Sequence, residues 1–203
     1  REGRLINRFH RVSFTPTIRS ISAVMDGGWR RAIRDLAQQW RSGWSGKRGV
    51  VAEIWFYHLE RKTLDDVLPM LLERTLERGW RAVVQSGTSE RLEAIDSLLW
   101  TYRDESFLPH GSRRDGNAEL QPIYLTEDGA NPNGAHVRFF VEGADMVLAS
   151  DDIGGYERVI YIFDGRDEAA LEKARETWKW VRGAGQTATY WRQTEAGGWQ
   201  KQA

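Results

Sequence analysis

The chain has 203 residues, 40% hydrophobic and 29% charged, enough for one well-buried domain with a further segment. No run nears the roughly 18 apolar residues that span a bilayer, and no apolar core follows the basic N-terminus as a secretory signal requires. The chain has no cysteine, which excludes disulfides, thiolate metal sites and cysteine nucleophiles and permits a reducing cytoplasm.

A formal net charge of zero conceals an asymmetry. Residues 1–50 hold 11 of the 29 Lys+Arg and 3 of the 29 Asp+Glu, so the remainder is acidic. This first segment shows no sustained hydrophobic period. Its one helical pattern, Gly28 to Trp40, is short, narrow and uncapped, and is marginal alone. Three readings compete for residues 1–50: a basic arm for nucleic acid, a disordered tail, or translated sequence upstream of a true start near Val50 or Val51. The compositional break at Val50 favours the last.

The periodic part of the chain begins immediately afterwards. Ala52 to His58 is an apolar, aromatic run that predicts a buried strand. Thr63 caps a helix with Asp65 and Asp66 in its first turn, where the dipole favours acids. Its apolar face is Leu64, Val67, Leu68, Leu71, Leu72 and Leu76, with Pro69 expected to kink it or reset its start. Gly79 ends that helix, and Trp80 to Ser86 predicts a second strand. Thr88 or Ser89 caps the next helix, whose buried face is Leu92, Ile95, Leu98 and Leu99. Alternation of strand and helix calls for a parallel sheet with right-handed crossovers.

Trp100 to Gly111 (W-T-Y-R-D-E-S-F-L-P-H-G) predicts a helix end and an ordered loop, with Pro109 fixing its direction. Trp100 and Phe107 need burial, either in their own domain or against a partner. The chain is then polar to Leu120, with short strands at 122–126 and 137–141 and an apolar piece at 145–149. Arg158 to Phe163 is the clearest core strand. Asp167 caps a helix running to about Gly183, Thr187 to Trp191 closes the sheet, and a polar tail follows from Gln193. The expectation is a single doubly wound, mainly parallel α/β domain, Rossmann-like, over 51–203.

Such a sheet invites a nucleotide, but the chain lacks GxGxxG and Walker sequences. The loop after the first strand has no glycine, Gly87 alone makes a weak anion site, and Asp164 and Asp167 repel phosphate. His10, His58, His110 and His136 have no paired metal-ligand spacing. His58 and His110 could meet above the sheet, Asp104 and Glu105 could pair, and Asp151 and Asp152 resemble a solvated turn. No spacing defines a catalytic constellation. The last helix carries more information: Arg175, Lys179 and Arg182 at i, i+4 and i+7 share a face, and Trp178 lies beside it. Cations around a large ring suit an acidic peptide ending in an aromatic, or a nucleic-acid strand. The plainer reading is a solvated face with Trp178 in the core.

The run E-I-W-F-Y-H-L at 53–59, the block from Leu98 through E-S-F-L-P-H-G at 105–111, R-V-I-Y-I-F-D-G at 158–165 and A-R-E-T-W-K at 174–179 together resemble the chi subunit of bacterial DNA polymerase III. The resemblance implies a Rossmann-like fold without its nucleotide or any other cofactor. It implies a non-catalytic subunit of the clamp-loader part of the replicative polymerase, cytoplasmic and without membrane contact. Such subunits link the polymerase to single-stranded DNA-binding protein by gripping its acidic, Phe-terminated tail, so DNA is met indirectly. The matching tail positions are Arg175, Trp178 and Lys179. A further family lysine aligns with Leu171, where Lys173 substitutes, and Arg182 extends the cationic face. A second family surface binds the psi subunit, clamp-loader subunits or a DNA-repair helicase, and matches Trp100 and Phe107. The competing classes are a nucleotide-using α/β enzyme and a nucleic-acid binder acting through the basic arm.

Overall fold

The computed structural model describes residues 52–103, 106–146 and 150–202. The basic first 50 residues, with Asp104 and Glu105, lie outside the described residues. Eight strands make one sheet: β1 (Glu53–Leu59), β2 (Ala82–Gln85), β3 (His110–Ser112), β4 (Ile123–Thr126), β5 (Val137–Phe140), β6 (Arg158–Asp164), β7 (Ala188–Gln193) and β8 (Trp199–Lys201). Their order is β3-β4-β2-β5-β6-β1-β7-β8. Every pairing is parallel except β7 with β8. Among the described residues three α-helices complete the set: α1 (Leu64–Glu77), α2 (Ser89–Thr101) and α3 (Glu168–Gly183). This is the doubly wound α/β architecture that the alternation predicts. No described helix is long and apolar enough to cross a membrane.

β6 sits centrally, between β5 and β1, because its apolar residues suit burial on both faces. One face packs Leu64, Val67, Leu68 and Leu72 of α1 and Ile95 and Leu99 of α2 on the strands. The other packs Ala174, Trp180 and Val181 of α3 on Phe56, Val159 and Tyr161. Burial of the Tyr161 phenol pushes its pKa up to about 12. Only part of that second face lies under α3. Beyond it the loops around residues 128–130 and 156 are tied down by Arg138 of β5, which is fully buried and bonds to Gln85, Asp128 O, Gly129 O and the Tyr156 hydroxyl.

Three local expectations need correction. The chain around His110–Ser112 and the tail after Gln193 are not simply polar loop: both add edge strands, β3 and β8. Both are three residues long, too short for a period to show. Pro69 does not set a new start, since α1 runs through it from Leu64; in the second turn the proline sacrifices one backbone bond. His58 on β1 and His110 on β3 do not meet, because four strands separate them, roughly 24 Å at ordinary strand spacing.

Candidate functional site

The first three turns of α3 present Leu171, Ala174, Arg175, Trp178 and Lys179, at the spacing of one helical face, to a depression of about 510 Å³. Strands supply the opposite wall: His58 from the end of β1, Phe163 from β6, and Tyr190 and Arg192 from β7. These four share a face because β1 pairs in register with both neighbours, Phe56 opposite Tyr190 and His58 opposite Phe163 and Arg192. The α3 helix is positioned by Asp167, whose carboxylate accepts from the Ala169 and Ala170 amides.

Trp178 is partly buried, packing edge-on against Phe56 at 5.1 Å and Tyr190 at 5.8 Å between ring centroids. It therefore belongs both to the core and to the depression, a middle outcome between the two sequence readings. Arg175 and Lys179, one turn apart beside it, are exposed. Among the described residues the ion pair of Arg175 is with Glu172, at 3.5 Å, a solvent-exposed pair of little energetic weight. Arg192 is held by Glu60 at 2.6 Å.

His58 forms the floor beside Gly165. A Cβ on that glycine would lie 1.6 Å from His58 Nε2, so the turn after β6 admits no larger residue without moving the ring. Burial lowers the His58 pKa, against the opposing pull of Glu60. The ring Nδ1 and the Tyr190 hydroxyl share a hydrogen bond at 2.8 Å, and burial raises the Tyr190 pKa.

The other predicted positions on α3 lie elsewhere. Lys173 points away from this depression: its Nζ donates to the Gly143 carbonyl at 2.7 Å and sits 3.8 Å from Asp145. Arg182 is exposed one turn beyond Trp178 and does not line the depression. Phe163, Tyr190 and Arg192 were not singled out from the sequence, and His58 was considered only as a partner for His110. The alternation of T-A-T-Y-W-R, had its parity been tied to that of β1, carries the signal for two of them.

The second predicted surface is also formed. Trp100 and Phe107 are 61% and 73% exposed, with ring centroids 6.3 Å apart. Burial within their own domain, one of the two open readings, is thus not realised. The neighbouring Leu99 and Leu108 fill the core instead. Trp100 rests on His110 at 4.9 Å. That ring is fixed by donation from Nδ1 to the Leu108 carbonyl, and the Asp96 carboxylate lies 3.3 Å from its Nε2. Ser106 Oγ donates to Glu73 Oε1 at 2.6 Å, and Arg103 pairs with the same carboxylate, tying the loop to α1.

The helix N-termini that would face a phosphate are occupied by side chains of this chain. Thr63 and Asp66 form a reciprocal capping box on α1, and Thr88 and Asp167 cap α2 and α3. Gly87 serves backbone packing: its N–H bonds to the Glu142 carbonyl, and a Cβ there would lie 2.6 Å from that oxygen.

A doubly wound α/β domain without a glycine phosphate loop, bearing a cation-flanked aromatic depression and a separate exposed Trp–Phe pair, is the class of protein defined here. Residues 51–189 match the family model described as DNA polymerase III chi subunit, HolC. The chain belongs to that family. It is 29% identical over 111 residues, covering 53% of this chain and 67% of the relative, to a protein of Rickettsia prowazekii (strain Madrid E) named "Probable DNA polymerase III subunit chi".

Proposed function

We propose that this chain is a non-catalytic accessory subunit of the DNA polymerase III holoenzyme, joining its clamp loader to single-stranded DNA-binding protein by binding that protein's acidic C-terminal tail. The observation that carries the reading is that Arg175 and Lys179, one helical turn apart, line one depression together with the apolar surfaces of Leu171, Trp178 and Tyr190. A terminal aromatic ring fills such a floor, while its carboxylates meet the cations. Lys173 and Arg182 lie farther out and contribute through their fields to an extended acidic peptide. The exposed Trp100–Phe107 pair is the second docking surface, suited to a psi subunit, another clamp-loader subunit or a repair helicase. DNA is reached through these partners, in the cytoplasm.

Calorimetric titration with the tail peptide of the cognate single-stranded DNA-binding protein tests the reading. Binding should weaken as salt rises, since exposed charges are screened within about 10 Å at 0.1 M. Arg175→Ala or Lys179→Ala should each weaken it by about tenfold, the scale of one charge-assisted hydrogen bond, with the thermal midpoint preserved. Unchanged affinity in folded variants removes the assignment. A nucleotide-using enzyme would instead be stabilised by ATP or NAD.

A further inference from the structure

Seven tryptophans fall among the described residues, and four of them, Trp55, Trp80, Trp191 and Trp199, gather on the sheet face opposite α3. There α1 packs on β2 and β6, and α2 on β3 and β4. Over β1, β7 and β8 the outer layer is made of rings. Trp199 meets Tyr57 at 4.6 Å, Tyr57 meets Trp191 at 6.4 Å, and Trp191 meets Trp55 at 5.8 Å. The belt continues through the Arg158 guanidinium, 3.7 Å from the centre of Trp55 and 5.7 Å from that of Trp80. All four indoles remain partly exposed.

Cations border this belt. Arg158, Arg74 and Arg78 all act on the Tyr57 phenol, and Arg78 lies 5.5 Å over Trp80. Lys201 pairs directly with Trp191 across β7 and β8, so both side chains stand on this face. Arg158 is matched by Glu53. Arg74, Arg78 and Lys201 are exposed and make no ion pair among the described residues.

We propose that this aromatic belt binds single-stranded nucleic acid, with bases against Trp191 and Trp199 and phosphates at Arg74, Arg78 and Lys201. Rings a few ångströms apart across a sheet, rimmed by unmatched cations, are the stacking platform and electrostatic track that a flexible strand needs. The charge selects an anionic occupant. The run of neighbouring rings selects a strand with a π face on every unit, which a polypeptide offers only at scattered aromatic residues. The belt lies on the opposite sheet face from the α3 depression, so this binding is separate from docking of the tail.

The test is fluorescence anisotropy of a labelled oligothymidylate of about 20 nucleotides, titrated with the full chain at low salt. Trp199→Ala and the double variant Arg78→Gln/Lys201→Gln should each weaken binding about fivefold or more. Binding of a duplex of equal length should be unaffected by Trp199→Ala, because its bases are already stacked. Absence of binding, or binding unchanged in both variants, overturns the proposal. So does a poly-glutamate that competes with the same dependence on Trp199, which would make the belt a polypeptide site. If Trp199→Ala does not fold, the charge variant alone decides.

Discussion

Arg138 is the largest side chain that the core encloses completely. Its Nη2 donates to Gln85 Oε1 at 2.6 Å and to the Asp128 carbonyl at 2.7 Å, and its Nη1 to the Gly129 carbonyl at 3.0 Å and the Tyr156 oxygen at 2.7 Å. A buried guanidinium is tolerated only when its donors are met, and here they meet two loop carbonyls, the Gln85 amide oxygen and the Tyr156 hydroxyl. Arg138→Met should therefore destabilise the domain by about 3 kcal/mol or more, read by urea denaturation, because several buried acceptors are orphaned at once. The strand at 137–141 was legible in V-R-F-F-V. The burial of its arginine was not, because a single cation in an apolar run fits equally well at an edge facing water. Trp178 was ambiguous in the same way: helical spacing put it beside the cationic face, and only the β7 ring beneath it decides that it is half core and half surface.

At the level of elements, the turn from β1 into α1 is built by a residue 131 to 133 positions away. Gln193 Oε1 at the end of β7 accepts from the backbone amides of Glu60, Arg61 and Lys62 at 2.8, 2.8 and 3.1 Å. Three successive amides converging on one oxygen form a backbone nest, filled here by the protein itself. Gln193→Ala should lower stability by about 2 kcal/mol by leaving three donors to compete for water, and should speed amide hydrogen exchange at 60–62 more than in α1. Gln193→Glu should keep the turn, since a carboxylate fills the nest as well. Helices α1, α2 and α3 were readable from caps and period, with boundaries close to those observed. The edge strands β3 and β8 were not, because each is held by its neighbour strand rather than by its own pattern.

For the molecule as a whole, titration divides into two ranges. Burial lowers the His58 pKa below 6.5, so the unfolded chain binds that proton more readily and stability is lost as pH falls through 6.5 towards the folded value. Glu60, Asp66, Asp128 and Asp164 are lowered chiefly by hydrogen bonds, to Arg192, the Thr63 amide, Thr126 and Arg166 respectively. Their contribution is present above their ordinary values of 3.8 to 4.5 and is lost below them. Thermal midpoints measured from pH 8 to pH 3 should fall in two stages. His58→Gln should remove the upper stage and leave the lower one; persistence of both would show that other groups govern the upper stage.

The sequence by itself determined the fold class, the order of the main strands and helices, and the residues that carry the family likeness, because hydrophobic period, caps and short motifs are local properties of the chain. It also marked Arg175, Trp178 and Lys179 as neighbours, since one helix sets their spacing. Only the tertiary structure decided what faces them. His58, Phe163, Tyr190 and Arg192 come together through the parallel register of β6, β1 and β7, and the aromatic belt through that of β1, β7 and β8. Pairing between strands distant in sequence leaves no periodic trace in any one of them. The same holds for Trp100 and Phe107, whose exposure follows from Leu99 and Leu108 taking the buried places beside them.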